Sequence, residues 1–427
     1  MPVSTVAYNC PACGAPLAYQ GGKLVCAACG NQYDLDVIEA MQVADGGGVA
    51  FAAPEETFTD GDAQQMQAYI CQGCGAELMT EDTTTATECP YCGSPTILPE
   101  RIEGGVRPEY VVPFVVTKEQ AQQQFTEYFK GKKLMPNVFL DGRNRISEMR
   151  RLFVPYWLFD CEARADIVYD AQKRQVRREG DWEVTYTDHY IVRRGGTMGF
   201  DAIPVDGSEK LDNAITESLE PYDLSAAVPF EPAVLAGALA DHADVDAAAC
   251  EARAAQRVEN SIAQAMRSTV TGYTNVMERG RNIRAEGGRV TPVLMPVWLI
   301  TTEKEGKTYT FAINGQTGKL TCDVPADTGK SLLWGFGTFA GVFALCAAIL
   351  YAMAMMESGT LLIAGIIALV AAFIVVGGLT AQLRQAAHQS AAADYVRSGS
   401  FSLDVRYDRF LYQNVQRRRI EQPNQKR

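Results

Sequence analysis

The chain has 427 residues, room for about three domains at roughly 150 residues each. Hydrophobic residues make up 47% and charged ones 21%, which excludes a wholly disordered polymer. A net charge of −12 excludes a chain that grips nucleic-acid phosphates over a broad surface, and 12 cysteines are too few for a disulfide-stapled secreted scaffold.

The N-terminus has neither a basic stretch nor an apolar one, so no signal peptide is expected. Eight cysteines then fall into four C-x-x-C pairs: Cys10/Cys13, Cys26/Cys29, Cys71/Cys74 and Cys89/Cys92. Such a turn brings two thiolates to one ion, and a hairpin of about a dozen residues returns the second pair to complete a tetrahedron. A glycine follows each pair (Gly14, Gly30, Gly75, Gly93) and permits the positive φ that lets the chain turn back. The spacing predicts two zinc ribbons, 1–40 and 69–100, each holding one structural Zn2+ through its four cysteines. Four thiolates close the coordination sphere to water, so neither site is catalytic. A redox pair of the thioredoxin kind needs one C-x-x-C before a helix, not four with glycine. Both ribbons are acidic. Lys23 stands against Asp34, Asp36 and Glu39, and Arg101 against Glu77, Glu81, Asp82, Glu88, Glu100 and Glu103. That balance disfavours nucleic acid. It suits either a protein partner or a cap on a neighbouring domain.

Between the ribbons, 41–68 contains Gly46-Gly47-Gly48, Pro54 and five acids with no Lys or Arg. It reads as a flexible acidic linker with one short helix near Gln64–Ala68. From 105 to 328 the composition is that of an α+β platform domain with an antiparallel sheet. Val111–Val116 and Ile167–Tyr169 read as strands, Lys118–Lys130 as a helix, Asp181–Arg193 as an exposed antiparallel strand and Pro232–Met277 as helix. Pro155–Phe159 is echoed by Pro296–Ile300. After the second of these, Lys307–Ala312 and Lys319–Cys322 flank a turn at Asn314–Gly318, a hairpin signature. Gly318-Lys319 and Gly329-Lys330-Ser331 imitate the end of a phosphate-binding loop, but the required first glycine is Ile313 or Val324. Cys161, Cys250, Cys322 and Cys346 are solitary and read as inert thiols. With three histidines and no nucleophile motif, the chain is not read as an enzyme.

Ser331–Met356 and Ser358–Leu383 are uncharged, apolar runs, each long enough to cross a ~30 Å hydrocarbon core. Only Glu357 lies between them, so they form a two-helix transmembrane hairpin. Lys330, Arg384 and a basic tail, 384–427, flank it and place both termini in the cytoplasm, with the hairpin in the cell (inner) membrane. Arg417-Arg418-Arg419 in that tail suits anionic lipid, although the topology signal alone accounts for it equally well.

The order of motifs is C-P-x-C-G-A, then Cys89-Pro90-Tyr91-Cys92-Gly93-Ser94-Pro95, Pro155–Asp160, Pro204-Val205-Asp206-Gly207-Ser208, Glu220-Pro221-Tyr222-Asp223-Leu224, Phe311–Lys319 and a membrane hairpin. This order resembles bacterial membrane proteins with TFIIB-type zinc ribbons, often labelled primosomal-helicase-like. The resemblance implies metal ligation by the eight paired cysteines. It also implies genes beside flotillin-like (SPFH) and phage-shock-protein-A-like ones, hence an anchor or adaptor in envelope stress. The expectation is a multidomain protein: two small β zinc ribbons, an α+β domain and a membrane hairpin. It would recruit a flotillin-like or phage-shock-A-like partner to the bilayer, with room for a homo-oligomer. The rivals are a membrane-tethered nucleic-acid-binding ribbon protein and a membrane enzyme with a dispersed site.

Overall fold

The computed structural model describes residues 8–42, 48–52, 57–81, 88–94, 97–100, 106–140, 149–304, 307–353, 358–383 and 386–420. Strands β1 (Leu17–Gln20), β2 (Lys23–Cys26) and β3 (Gln32–Tyr33) form a small antiparallel sheet, followed by helix α1 (Leu35–Glu39). Next come β4 (Gly48–Ala52), α2 (Asp60–Gln65), β5 (Met66–Cys71), β6 (Glu77–Glu81), β7 (Ile97–Glu100), β8 (Tyr110–Val111), α3 (Lys118–Phe129) and α4 (Asn137–Leu140). Two long strands, β9 (Arg150–Glu179) and β10 (Trp182–Asp206), precede α5 (Asn213–Ser218), β11 (Val228–Pro229), β12 (Leu239–Asp241) and α6 (Ala247–Ser268). The chain continues through β13 (Asn275–Lys304), β14 (Lys307–Asn314), β15 (Leu320–Cys322), α7 (Thr328–Ala352), α8 (Ser358–Ala381) and β16 (Ser402–Arg419).

Thirteen of the described strands join in one sheet, whose antiparallel spine runs β16–β10–β9–β13. The alternation of β9 explains its two faces. Phe159, Cys161, Ala163, Ala165, Ile167, Tyr169 and Ala171 are buried beneath α6. On the other face the ion pairs Arg193–Asp166 and Arg279–Asp170 bind neighbouring strands together. Helix α6 presents Cys250, Ala254, Val258, Ile262 and Met266, one every fourth residue, to that row of small side chains. Asp246 caps it by accepting from the Ala249 N–H at 2.8 Å.

The sheet departs from the expected antiparallel one. β12 runs parallel to β9, and β4 and β8 run parallel to β13. The platform also draws in segments expected outside it. Residues 48–52 are a strand on β13, and the Phe51 ring stands edge-on to Phe159 at 4.8 Å. Helix α2 begins at Asp60 rather than near Gln64, with a Thr59/Asp62 capping box and Arg107 3.1 Å from Asp62. The described part of 41–68 is therefore structure, not a flexible linker; Gly46, Gly47, Pro54, Glu55 and Glu56 lie outside the described residues. The second ribbon is continuous with the platform, because β6 pairs with β12 at Met79↔Ala240. Asp82, Arg101 and Glu103 lie outside the description.

Three other expectations change for local reasons. β8 stops at Val111, just before Val112-Pro113, where proline removes a ladder donor. Pro232–Met277 contains a short turn and β12 before α6 starts, and Gly272, at φ +81°, lies between α6 and β13. Of Asp181–Arg193, Trp182–Arg193 lies in β10, which is flanked by β9 and β16 rather than standing at an edge. The helix at Lys118 and the hairpin after Pro296 fall where expected. The echoed Pro/Trp runs lie on the paired strands β9 and β13 but out of register: Pro155–Phe159 face Leu294–Val290, and Pro296–Leu299 face Phe153–Arg150.

The tail is the largest correction. Residues 402–419 pair along β10, and Arg417–Arg419 face Val184–Trp182. Glycine permits this at position 196, where a Cβ would run into the Ser402 carbonyl and meet Met266 Cε at 3.0 Å. Arg194, 1% exposed, ties the strand down through Asp408. The three arginines therefore sit at the Glu179 end of a thirty-residue strand. The apolar hairpin joins the other end, where Trp298, opposite Arg151, shares a cluster with Trp334, Val376, Leu379 and Leu383. That separation is roughly 90 Å of extended chain, so the tail arginines are not beside the hairpin.

α7 and α8 are long and apolar enough to cross a membrane. At 25 and 24 residues they extend for ~36 Å each. They touch through a stripe of Ala364, Ala368 and Ala372, while Leu332, Phe336, Phe373 and Ile374 are at least 69% exposed. The tip with Glu357, and Arg384, lie outside the described residues.

Candidate metal centres

The four C-x-x-C-G turns share one backbone pattern. The N–H of each pair's first cysteine donates to the carbonyl five residues on (Ala15, Asn31, Ala76, Ser94), at 2.8–2.9 Å. The following glycine, at φ +70° to +77°, donates back to that cysteine's carbonyl at 2.8–2.9 Å. The glycines are required by this conformation, as spacing alone suggested. In each pair the first cysteine is buried and the second exposed.

The result is two four-sulfur clusters. Cys10, Cys13, Cys26 and Cys29 form one, and Cys71, Cys74, Cys89 and Cys92 the other, with all Sγ atoms of a set within 4.8 Å of one another. Cys10–Cys29 and Cys13–Cys26 are 3.6 and 3.5 Å apart, and Cys71–Cys92 and Cys74–Cys89 both 3.6 Å. A tetrahedral ion with bonds of ~2.3 Å to sulfur needs sulfurs about 3.8 Å apart, so both sets fit a metal. All eight predicted ligands are thus brought together, four and four.

Neighbouring donors prepare some thiols for ligation. Burial raises Cys10, but the Tyr33 hydroxyl and the N–H groups of Ala12 and Cys13 outweigh it and bring the thiol down to about 6. At Cys71 burial is likewise outweighed, by the N–H groups of Cys74 and Gly73, and the thiol falls to about 7. Within the same clusters Cys13, Cys29, Cys74 and Cys89 are raised instead, and burial pushes the solitary Cys161 and Cys250 up to about 12 and Cys322 to about 11.

The two centres attach differently. Ribbon 1 lays Val37 and Met41 on Val168, Ile191 and Leu411, on the sheet face away from α6, and Tyr407 donates to Asp36 at 3.3 Å. Ribbon 2 is built in. Cys71, Ala76, Cys89 and Tyr91 share an apolar cluster with Leu152, Val154 and Tyr156. Inside the Cys89/Cys92 turn, the buried Tyr91 hydroxyl donates to Asp241 at 2.5 Å, and Ser208 donates to the same oxygen. Burial pushes the Asp241 carboxyl up to about 7, and Asp206 beside it is also raised by burial. Tyr33 and Tyr91 were not singled out from sequence; their signal was only an aromatic residue near or inside a cysteine turn.

Behind ribbon 2, the segment after α8 is strapped to the platform. Arg257 and Glu220, 2% and 4% exposed, form a bidentate pair at 3.0 and 2.6 Å. Arg257 also donates to the Pro204 and Ala391 carbonyls, and Tyr395 donates to Glu220 at 2.8 Å. Glu217 accepts from the Gln389 N–H at 2.7 Å and pairs with Arg253.

The chain is 32% identical over 340 residues to YdjG of Bacillus subtilis strain 168, an uncharacterized protein, across 79% of this chain and 95% of that relative. No protein-family model and no solved structure matches it.

Proposed function

The chain belongs to the family of Bacillus subtilis YdjG, and we propose that it is a membrane-anchored adaptor that holds two structural zinc ions and recruits a cytoplasmic protein to the bilayer. One observation carries the reading. Two closed four-cysteine centres are mounted on a platform strapped to a pair of long apolar helices. Closed centres offer no open coordination position for chemistry, so they serve as rigid presenting surfaces. No enzymatic step is assigned. Zinc is the fitting ion, since four thiolates at these separations suit its tetrahedral preference. Both chain ends lie in the cytoplasm in this reading, where the thiols stay reduced. The partner's expected class, flotillin-like or phage-shock-A-like, comes from the resemblance of motif order.

The test removes ribbon 1 alone. Deleting 1–100 would also remove β4–β7 from the sheet. A chain lacking 1–42, with the anchor intact, should stay in the membrane while the partner loses its membrane foci. Unchanged foci reject recruitment through ribbon 1.

A nucleic-acid-binding reading has one observation in its favour. Lys173, Arg174, Arg177, Arg178, Arg417, Arg418 and Arg419 are exposed together at the far end of β9 and β16. Binding to duplex DNA with a steep salt dependence would support that reading over the adaptor.

A further inference from the structure

We infer that the foot of the platform carries a binding site for the headgroup of an anionic phospholipid, built from Lys130, Lys132, Lys133 and Lys330 beside Trp334. The inference rests on the membrane reading above. Three of these lysines follow α3, where Gly131, at φ +88°, turns the chain. Leu134 and Met135, at most 1% exposed, anchor that turn in the core, and the Asp327 N–H donates to the Leu134 carbonyl at 2.8 Å. Lys330 belongs to the first turn of α7.

The ammonium groups of Lys132, Lys133 and Lys330 lie where α7 starts and α8 ends, and Lys130 is exposed on the same turn. Lys132 Nζ donates to the Gln382 carbonyl, just past α8, at 2.5 Å and stands 3.5 Å from the Tyr128 ring centroid. Lys330 Nζ donates to the Met135 carbonyl and to Asn137 Oδ1, each at 2.6 Å. Lys133 Nζ lies 4.1 Å from the Trp334 ring centroid, and both Lys130 and Lys133 are exposed. Among the described residues, no carboxylate forms an ion pair with any of the four. Asp327 is occupied in capping α7 through the Lys330 N–H. In a chain of net charge −12, these four lysines are a local concentration of cationic charge. Each ammonium has three donors. Lys132 spends one on protein and Lys330 two, which leaves Lys130 and Lys133 as the principal donors to a phosphate.

The neighbouring apolar surface decides between a lipid and a free anion. Leu332, Leu333 and Phe336, in the same turns of α7 as Trp334, are 75%, 71% and 73% exposed. A ligand that satisfies both surfaces is amphiphilic: a phosphate with an acidic head above, acyl chains below. Trp334 stands at the level where an interfacial indole is favoured. The sheet also removes the competing assignment, since Arg417–Arg419 lie at the other end of β9.

The test uses the full chain. Its flotation with phosphatidylcholine vesicles is measured first; failure to float overturns the membrane reading and this inference with it. Native mass spectrometry then counts lipid retained after extraction into micelles containing phosphatidylglycerol or phosphatidylcholine. Wild type should retain phosphatidylglycerol in preference, and excess inorganic phosphate should not displace it. Lys130→Gln with Lys133→Gln should weaken that retention about thirty-fold, from two interfacial lysines. Lys130→Arg with Lys133→Arg should preserve it, and Arg417→Gln with Arg418→Gln should leave it unchanged. Equal retention of the two lipids, or undiminished phosphatidylglycerol on the Gln variant, overturns the headgroup site while leaving the membrane reading intact. Displacement by inorganic phosphate overturns the lipid assignment.

Discussion

Replacing Arg257 with methionine tests how the anchor is held to the platform. Arg257 spends four hydrogen bonds inside the fold: two on the Glu220 carboxylate and one each on the carbonyls of Pro204 and Ala391. Methionine keeps much of the packing volume but strands a carboxylate that is 4% exposed, with the Tyr395 hydroxyl as its remaining side-chain donor. Breaking a buried ion pair from one side costs ~3–5 kcal/mol. The expected drop in Tm, read on the full chain in detergent, is roughly 10 °C. The change should also be local. Amide exchange in 386–396 should quicken, because Ala391 loses a donor and Tyr395 its shared partner. Removing both charges, with Arg257→Met and Glu220→Leu, should recover most of the loss, since an apolar pair of similar volume is often no worse than a buried ion pair. A single variant that melts with wild type, or a double variant no better than the single one, refutes the view that this pair straps the segment after α8.

Metal analysis should find two ions per chain, falling to one with either Cys10→Ser or Cys71→Ser. Only Cys71→Ser should markedly destabilise the platform, because β5–β7 are part of its sheet. Asp241→Asn should flatten the pH dependence of stability between about pH 4 and 7. The carboxyl titrates at about 7 in the fold and about 3.9 unfolded, so the folded state holds a proton that the unfolded state has released across that window. Its contribution is therefore full below pH ~4 and declines as pH rises to 7, by up to about 4 kcal/mol; identical slopes for wild type and variant would contradict this. Gly196→Ala pushes a Cβ at the Ser402 carbonyl and Met266. It should cost ~1–3 kcal/mol and quicken amide exchange across 402–419, a change that normal exchange there would disprove.

The metal centres were legible in the sequence because their geometry is local. A C-x-x-C-G turn makes its own hydrogen bonds, Gly14 to Cys10 and Gly30 to Cys26, whatever the rest of the chain does. The apolar helices were legible for a similar reason, since length and side-chain composition decide whether a helix suits hydrocarbon. α3 began at Lys118 as expected, with Thr117 and Gln120 forming its capping box. Strand pairing has no such local code. Whether 48–52 is linker or strand depends on the edge that β13 offers 240 residues away, and whether Arg417–Arg419 lie beside the membrane depends on their register with β10. The same holds for the buried contacts that fix the ribbons and the anchor. Tyr91 meets Asp241, and Arg257 meets Glu220, only after the sheet has formed. Desolvation then makes each partner necessary to the other, and no property of either residue in the isolated chain records that.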